Sequence, residues 1–343
     1  MTMNRRTFVQ TTTLTAGMAY VGVSHARVNL KLNSQWPATT AGSKVDQWFA
    51  DEVKRRTNGE IDIRIFWSEA LGKAGENLSL MQSGAVEMGA MSPGYFPKQL
   101  PFHAAPNSIP MAMNSVAQAN VLMSRLLKEV PGMQGEAKAN GVRTLFFHHL
   151  NPYLLVSKEP MTTLASVKGK KIRTWGTDMP RMAQAAGMTP VTLSLPEIYE
   201  GLSRGVVDAA PFSVDLVMNY KIFEVAKNVS DITLWLGPSW GVWISDAAWQ
   251  KLPAAAQNVM TEVAAEANKR DLEATVAAEK TAREELLQKG VKFHTFAEAD
   301  RRQWRAALPD FFADFISARE KEGRGADARR MVAIWKEVVE TVK

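Results

Sequence analysis

Residues 253–290 limit the possible folds of this chain more than any other segment. They hold no glycine or proline between Pro253 and Gly290 and are rich in Ala, Glu, Lys and Leu. About 36 residues rising about 1.5 Å each would form a helix about 54 Å long, which exceeds the diameter of one small domain. We therefore predict a single helix that lies across two domains and braces them. Two shorter helices are the alternative, and the lack of a sustained leucine heptad argues against a coiled coil.

The rest of the chain alternates between strand and helix patterns in two successive units. The first unit is predicted to contain strands at 28–32, 61–65 and 86–90, a helix from Val45 that Asn58-Gly59 ends, and a helix at 76–83. The second is predicted to contain strands at 142–147, 153–157, 170–175 and 206–210, with helices at about 178–186 and 196–204. Such alternation is typical of parallel sheets with helices on their faces. The two α/β units meet near Leu150, in agreement with a length of 343 residues.

Residues 1–26 have the order of features found in an export leader. The twin arginine Arg5-Arg6 precedes a weakly apolar run, and Ser24-His25-Ala26 supplies small residues at a cleavage site. A twin-arginine route would export the folded protein to the periplasm. Without this leader the chain has 39 basic and 35 acidic side chains, a net charge of +4, which is too small to indicate nucleic-acid binding. The sequence contains no run of eighteen apolar residues, so it does not predict a membrane-embedded protein.

The motifs of common enzymes are missing from the sequence. There is no cysteine, which excludes a disulfide scaffold, a thiolate metal site and a cysteine nucleophile. No nucleophile elbow, zinc-protease motif, phosphate loop or dinucleotide fingerprint occurs. The adjacent His148 and His149 would point to opposite sides of a strand, so they are poorly placed to bind one metal ion and are expected in the core or at its rim. We expect no catalytic residues, no metal site and no cofactor.

Arg173 is the most notable cation, because it ends a predicted strand between apolar residues in Lys171-Ile172-Arg173-Thr174-Trp175. A guanidinium facing a cleft between domains is suited to bind a carboxylate through two parallel hydrogen bonds. A surface salt bridge is the alternative that spacing leaves open. Ten tryptophans are a second signal, since several lie near predicted strand ends and would suit a dry wall around a small acid. These are Trp36, Trp67, Trp175, Trp235, Trp240 and Trp243, for each of which core packing remains the alternative.

Several motifs resemble those of TRAP transporter solute-binding proteins of the DctP type. The resemblance covers most of the chain after the leader and is strongest over about 40 central positions. It is carried by Leu71-Gly72, Gly84-Ala85-Val86-Glu87-Met88, Gly169-Lys170-Lys171-Ile172-Arg173, Gly187-Met188-Thr189-Pro190-Val191, Pro196-Glu197-Ile198-Tyr199-Glu200-Gly201-Leu202, Gly205-Val206-Val207-Asp208-Ala209 and Trp249-Gln250-Lys251-Leu252-Pro253.

The resemblance implies an α/β fold of the periplasmic-binding-protein type, with two domains that close on a ligand and a long helix spanning both. It implies a first domain of 27–150 plus about 239–278, and a second of 151–238 plus about 279–343 that includes the C-terminal helices. Arg173 matches the arginine that pairs with the substrate carboxylate in this family. The partners implied are a small organic acid and the membrane subunits of a TRAP transporter. The predicted ligand-binding residues are Arg173, Trp36, Tyr95, Phe212, Tyr153, Trp175 and Trp240.

Two departures from the family patterns narrow the expected ligand. Sialic-acid-binding members carry a second cation near Tyr153 and an asparagine near Phe212, so a large sugar acid is not expected here. Members that bind 2-oxo acids through a metal carry Glu-Trp where this chain has Pro211-Phe212. One arginine in an aromatic wall favours a compact monocarboxylate, with an aromatic ring as one option.

Two other functions remain open at this point. An exported enzyme acting on a small carboxylic acid would need an acid or base beside the ligand, and His149 and Asp215 are the candidates. A ligand-presenting module for a membrane sensor is the second alternative.

Overall fold

The structure is a computed structural model that describes residues 27–343, so the predicted leader lies outside the described residues. The strands are β1 Val28–Ser34, β2 Ile61–Phe66, β3 Met88–Met91, β4 Val142–His149, β5 Tyr153–Ser157, β6 Lys171–Thr174, β7 Thr189–Thr192, β8 Ala209–Phe212, β9 Asn228–Trp235, β10 Pro238–Ser245 and β11 Lys292–His294. The helices are α1 Ala41–Arg56, α2 Asn77–Gln82, α3 Pro101–Ser108, α4 Val116–Glu129, α5 Pro131–Ala139, α6 Leu164–Val167, α7 Met179–Ala185, α8 Ile198–Ser203, α9 Val214–Asn219, α10 Asp246–Trp249, α11 Ala254–Gln288, α12 Glu298–Ala306, α13 Phe311–Lys321 and α14 Gly325–Thr341.

The first sheet has the strand order β2-β1-β3-β10-β4. β1 runs parallel to β2 and β3, as the alternating sequence predicts, and its residues Leu30 and Leu32 are buried in the core. β10 comes from much later in the chain and runs antiparallel to both β3 and β4. The sheet is therefore mixed, not parallel throughout, because its fourth strand is borrowed from a distant segment. We call this sheet and the helices packed on it the first lobe.

The second sheet has the order β11-β9-β5-β8-β6-β7 and forms the second lobe with its helices. β6 runs parallel to β7 and β8, while β5 runs antiparallel to β8 and β9. The strand predicted at 206–210 is wrong in position, since β8 begins at Ala209. Val206 lies instead in the turn after Gly205, whose φ is +72°, and its side chain is exposed.

The chain passes between the lobes at the β4–β5 and β9–β10 connections and again along α11. α11 is one helix of 35 residues, which confirms the prediction of a single long helix. It packs on α1 and β4 of the first lobe and on α9 of the second. Within residues 27–343, no helix combines the length and the apolar character that crossing a membrane requires.

The C-terminal helices divide between the lobes. In α12, Trp304 Nε1 donates to the carbonyl of Met182 in the second lobe at 2.9 Å. In α14, Trp335 Nε1 donates to the carbonyl of Ala112 at 3.1 Å, and the helix packs on α4 and α5 of the first lobe. α12 therefore contacts the second lobe and α14 the first, so these two helices of 279–343 do not pack on the same lobe. The physical reason is the apolar face of α14, which includes Met331 and Trp335 and is buried against the first lobe.

Candidate functional site

Arg173 is a buried cation without an acidic partner. It lies on β6 with 2% of its surface exposed, and its Nε donates to the carbonyl of Leu193 at 3.1 Å. Its Cζ lies 4.1 Å from the ring centre of Trp175. Among the described residues no carboxylate forms an ion pair with it, and its Nη1 has no hydrogen-bond partner. Burial lowers the pKa of the Arg173 guanidinium, but arginine remains charged in proteins, so the group needs an anion.

A cavity of about 20 Å³ lies beside this guanidinium. We call it the Arg173 cavity. Its walls come from both lobes, and most of the first-lobe residues follow the carboxyl ends of β1 and β3, where open α/β sheets bind ligands. The lining residues are Gln35, Trp36, Ser92, Tyr95 and Asn107 from the first lobe, and Tyr153, Arg173, Trp175, Leu195 and Trp235 from the second.

Tyrosine hydroxyls surround Arg173 from both lobes. The hydroxyl of Tyr95 accepts a hydrogen bond from the backbone N–H of Leu195 at 2.9 Å, which joins the first lobe to the second. Tyr220 packs edge-on against Trp36 with ring centres 6.5 Å apart, another contact between the lobes. Burial raises the pKa of Tyr95, Tyr153 and Tyr220. These phenols therefore stay neutral and can donate hydrogen bonds to a carboxylate.

The structure brings five of the seven predicted ligand-binding residues to one cavity. Arg173, Trp36, Tyr95, Tyr153 and Trp175 line it. The other two lie one layer behind: Phe212 stacks on Tyr153 with ring centres 6.0 Å apart, and Trp240 stacks on Trp36 at 4.8 Å. They support the wall without lining the cavity.

Other residues of this site were missed as ligand contacts. Gln35, Ser92, Asn107 and Leu195 carried no sequence signal beyond their position after strands or helices. Trp235 belonged to the tryptophan set near strand ends, which is the one signal that could have selected it. Tyr220 follows α9 and reaches Trp36 only through the packing of the two lobes.

A second buried set of charges lies behind the tryptophan wall, and we call it the His148 array. His148 Nε2 lies 2.8 Å from Asp46 Oδ1, and its Nδ1 lies 2.5 Å from Asp271 Oδ1. The backbone N–H of His149 donates to Asp271 Oδ2 at 2.9 Å, and the His149 ring contacts the same oxygen. Although burial opposes the charge, Asp271 and Asp46 raise the pKa of His148 to about 10.

The His148 array supports the wall of the Arg173 cavity. The rings of His148 and Trp240 stack at 3.8 Å, and Trp240 in turn stacks on Trp36. Gly42 allows this approach, because a Cβ there would lie 2.6 Å from Trp240 Cζ2. Both histidines are buried, as expected of core residues. His149, the candidate acid or base of an enzyme, faces Asp271 and does not line the Arg173 cavity.

A larger cavity lies elsewhere, as a groove of about 970 Å³ along α11. We call it the α11 groove. Lys44, Trp48 and Lys221 line its sides, with a row of alanines of α11 such as Ala274 as its floor. Its size suits many ligands, but no unpaired buried cation faces it. Charge complementarity therefore favours the smaller Arg173 cavity as the ligand site.

Within residues 27–343, no group of three or more His, Asp and Glu side chains is arranged to hold a metal ion. The Asp46, His148, His149 and Asp271 side chains pair with one another in the His148 array. The site thus offers a guanidinium, neutral hydroxyls and aromatic surface as its means of binding.

Known proteins resemble this chain over most of its length. The model of the family described as bacterial extracellular solute-binding protein, family 7 (DctP), matches residues 32–318. A solute-binding protein of Roseobacter denitrificans is 27% identical over 271 residues, which cover 76% of this chain and 79% of that protein. The 2,3-diketo-L-gulonate-binding periplasmic protein YiaO of Escherichia coli is 26% identical, over 63% of this chain and 66% of that protein.

Solved structures show the same fold at lower identity. DctP7 of Bordetella pertussis, an extracytoplasmic solute receptor binding pyroglutamic acid, has a TM-score of 0.79 at 21% identity, covering 90% of this chain and 99% of that one. A TRAP periplasmic solute-binding protein of Desulfovibrio salexigens with bound orotic acid has a TM-score of 0.81 at 21% identity, covering 92% and 99%. One from Sulfitobacter with bound β-D-galacturonate has a TM-score of 0.78 at 19% identity, covering 90% and 100%.

Proposed function

The chain belongs to the DctP family, family 7 of the bacterial extracellular solute-binding proteins, and from that membership we propose that it is the periplasmic receptor of a TRAP transport system for a small organic acid. The acid binds in the Arg173 cavity and is delivered to the membrane subunits of the transporter. The leader at residues 1–26 takes the protein to the periplasm. No reaction is proposed, since family members act as binding proteins.

The observation that carries this proposal is the unpaired guanidinium of Arg173. A buried charge without a partner costs several kcal/mol, and the described residues supply no carboxylate to offset that cost. A ligand carboxylate would do so through two parallel hydrogen bonds to the guanidinium. The neutral hydroxyls of Tyr95 and Tyr153 would donate to the same anion.

The walls favour a compact monocarboxylate. Trp36, Trp175 and Trp235 supply flat apolar surface around a single cation, and a ring on the ligand would stack against them. Two of the similar structures hold compact ring acids, pyroglutamic acid and orotic acid. These similar structures support a compact ring acid as the class of ligand, and the individual acid is to be identified by experiment.

Binding would proceed by a shift between open and closed arrangements of the lobes. The Arg173 cavity has room for about one water molecule, so a larger acid needs the lobes to separate before it enters. Closure then brings Tyr95 to Leu195 and Tyr220 to Trp36. The closed form is the one we expect the membrane subunits to recognise.

A titration with small organic acids tests the proposal. Thermal shift with matched carboxylates, primary amides and alcohols should show stabilisation by at least one carboxylate and by none of its uncharged counterparts. The Arg173→Lys variant keeps the charge but not the planar fork, so it should bind the same acid at least tenfold more weakly. Absence of binding across the carboxylates, together with no acid co-purifying in native mass spectrometry, would contradict the proposal.

A further inference from the structure

Another cavity between the lobes adjoins the Arg173 cavity. A second cavity of about 10 Å³ lies between Trp36 and α11, and we call it the middle chamber. It shares Trp36 as a wall with the Arg173 cavity, and it shares Ala41 and Asp215 with the α11 groove. The middle chamber therefore adjoins both cavities, and the Trp36 side chain stands between it and the Arg173 cavity.

Two polar atoms of the middle chamber lack a protein partner. The Nε1 of Trp36 and the Nε2 of His149 are buried and form no hydrogen bond, although both side chains line the chamber. The two residues are only 1% and 2% exposed. Buried polar groups are nearly always satisfied, so this pair indicates a hydrogen-bonding atom that the protein chain does not supply.

The chemistry of the two atoms defines what can satisfy both. The indole N–H of Trp36 can only donate. The Nδ1 of His149 lies 3.1 Å from Asp271 Oδ2, and His148 and His149 keep the pKa of Asp271 low despite its burial. The Nδ1 therefore carries a hydrogen towards that carboxylate, and in the neutral ring Nε2 is an acceptor. A hydroxyl can accept a hydrogen bond from Trp36 Nε1 and donate one to His149 Nε2. A carbonyl oxygen can only accept, so it would leave His149 without a partner, and a methylene group would leave both atoms without one.

We propose that the middle chamber is a subsite for a hydroxyl group of the ligand, so that the protein prefers a hydroxy carboxylic acid over the matched deoxy and oxo acids. The carboxylate binds Arg173, and the hydroxyl lies past the edge of Trp36 between its indole N–H and the His149 ring. This inference rests on the proposed function and specifies the substrate class of the same cleft.

The experiment compares matched triplets of acids by isothermal titration calorimetry at pH 8. Suitable probes are pentanoate, 4-hydroxypentanoate and 4-oxopentanoate, the same set on hexanoate with the group at carbon 5, and 3-methylbenzoate, 3-(hydroxymethyl)benzoate and 3-formylbenzoate. In at least one triplet the hydroxy acid should bind about 10-fold to 100-fold more tightly than either relative, because only it satisfies both buried atoms. Equal affinities within every triplet would overturn the inference.

A matched pair of variants tests whether His149 is responsible. His149→Phe should reduce the preference for the hydroxy acid at least fivefold. His103→Phe is the control. His103 is also buried, its Nδ1 lies 2.6 Å from Glu136 Oε1, and its Nε2 has no hydrogen-bond partner. Unlike His149, it lines none of the three cavities. It should leave the preference unchanged, and an equal change in both variants would contradict a role for His149.

A second variant and the binding of plain acids distinguish failure of the subsite from failure of the proposed function. If His149→Phe does not fold, as judged by circular dichroism, Trp36→Phe removes the donor instead and should likewise reduce the ratio of hydroxy-acid to deoxy-acid affinity. If no acid of any triplet binds the unmodified protein and none co-purifies with it, the proposed function itself has failed. If plain acids bind and the hydroxyl adds nothing, only the subsite is wrong.

Discussion

The His148 array and the Arg173 cavity both bury charged side chains, yet only the array contains its own counter-charges. His148 lies between Asp46 and Asp271, whereas Arg173 has only a backbone carbonyl, phenol hydroxyls and aromatic faces around it. A buried charge that the chain itself neutralises stabilises the fold. One that the chain leaves without a partner reserves that interaction for a ligand. This difference supports a structural role for the His148 array and our proposal that Arg173 binds the ligand.

The largest expected loss of stability follows from removing one carboxylate of the His148 array. Asp271→Asn removes the carboxylate that both histidines share and leaves a buried imidazolium with one partner. We expect the free energy of unfolding to fall by about 3–5 kcal/mol, as when one member of a buried ion pair is removed. Urea denaturation measures it. The control is Glu266→Gln, which breaks a partly exposed pair with Arg56 and should lower the free energy of unfolding by less than about 1 kcal/mol. Equal losses in the two variants would contradict a special structural role for the His148 array.

Removing the charge of Arg173 should weaken ligand binding without reducing the stability of the fold. Arg173→Met removes a cation that has no counter-ion, so the unliganded protein should unfold at the same urea concentration or a higher one. Binding of the organic acid should weaken by about 2–5 kcal/mol, as for the loss of a buried charge partner. Calorimetry and urea denaturation on one preparation measure both quantities. A variant that loses stability while keeping affinity would show that the guanidinium is structural.

The pH dependence of stability between pH 6 and pH 10 should report the charge of His148. In the folded protein the pKa of His148 is raised to about 10 from its ordinary value of 6.5. The charged form is thus favoured by folding, so this contribution is fully present below about pH 6.5 and is lost as pH rises through about 10. Urea denaturation between pH 6 and pH 10 should show this decline. In His148→Gln the decline should be smaller, and identical slopes in the two proteins would contradict the assignment.

The smallest expected effect concerns closure of the lobes. Tyr95→Phe removes the hydroxyl that accepts from Leu195 N–H and lies near Arg173. Acid binding should weaken by about 0.5–1.5 kcal/mol, the usual size of a hydrogen bond, with a smaller closed fraction in X-ray scattering. Tyr199→Phe is the control, since its hydroxyl donates to Glu224 within the second lobe. If both variants bind alike, the bond between the lobes does not contribute to affinity.

Local patterns in the sequence predicted the elements that local physics determines. The alternation at 28–32 and 61–65 specified β1 and β2, and the uninterrupted segment before Gly290 specified α11. Arg173 was recognisable because its strand and its neighbours Ile172 and Trp175 lie in one short segment.

Contacts between distant segments could not be read in this way. Insertion of β10 between β3 and β4 depends on pairing across about 100 residues of chain to β4 and about 150 residues to β3. The partners of His148 come from α1 and α11, 102 and 123 positions away. Tyr220 contacts Trp36 from the other lobe. Such pairs have no periodicity or spacing of their own, so only the folded chain identifies them.

The position of β10 inside the first sheet has a consequence for how the protein is made. While the ribosome has not yet released residues 238–245, the growing chain holds β3 and β4 with no strand to join them. The first sheet therefore stays incomplete until five of the six strands of the second sheet have been synthesised, although it contains the amino-terminal strands. A chain that terminates before Pro238 would lack at least one strand of each sheet, β10 of the first and β11 of the second, so neither sheet would be complete in such a fragment.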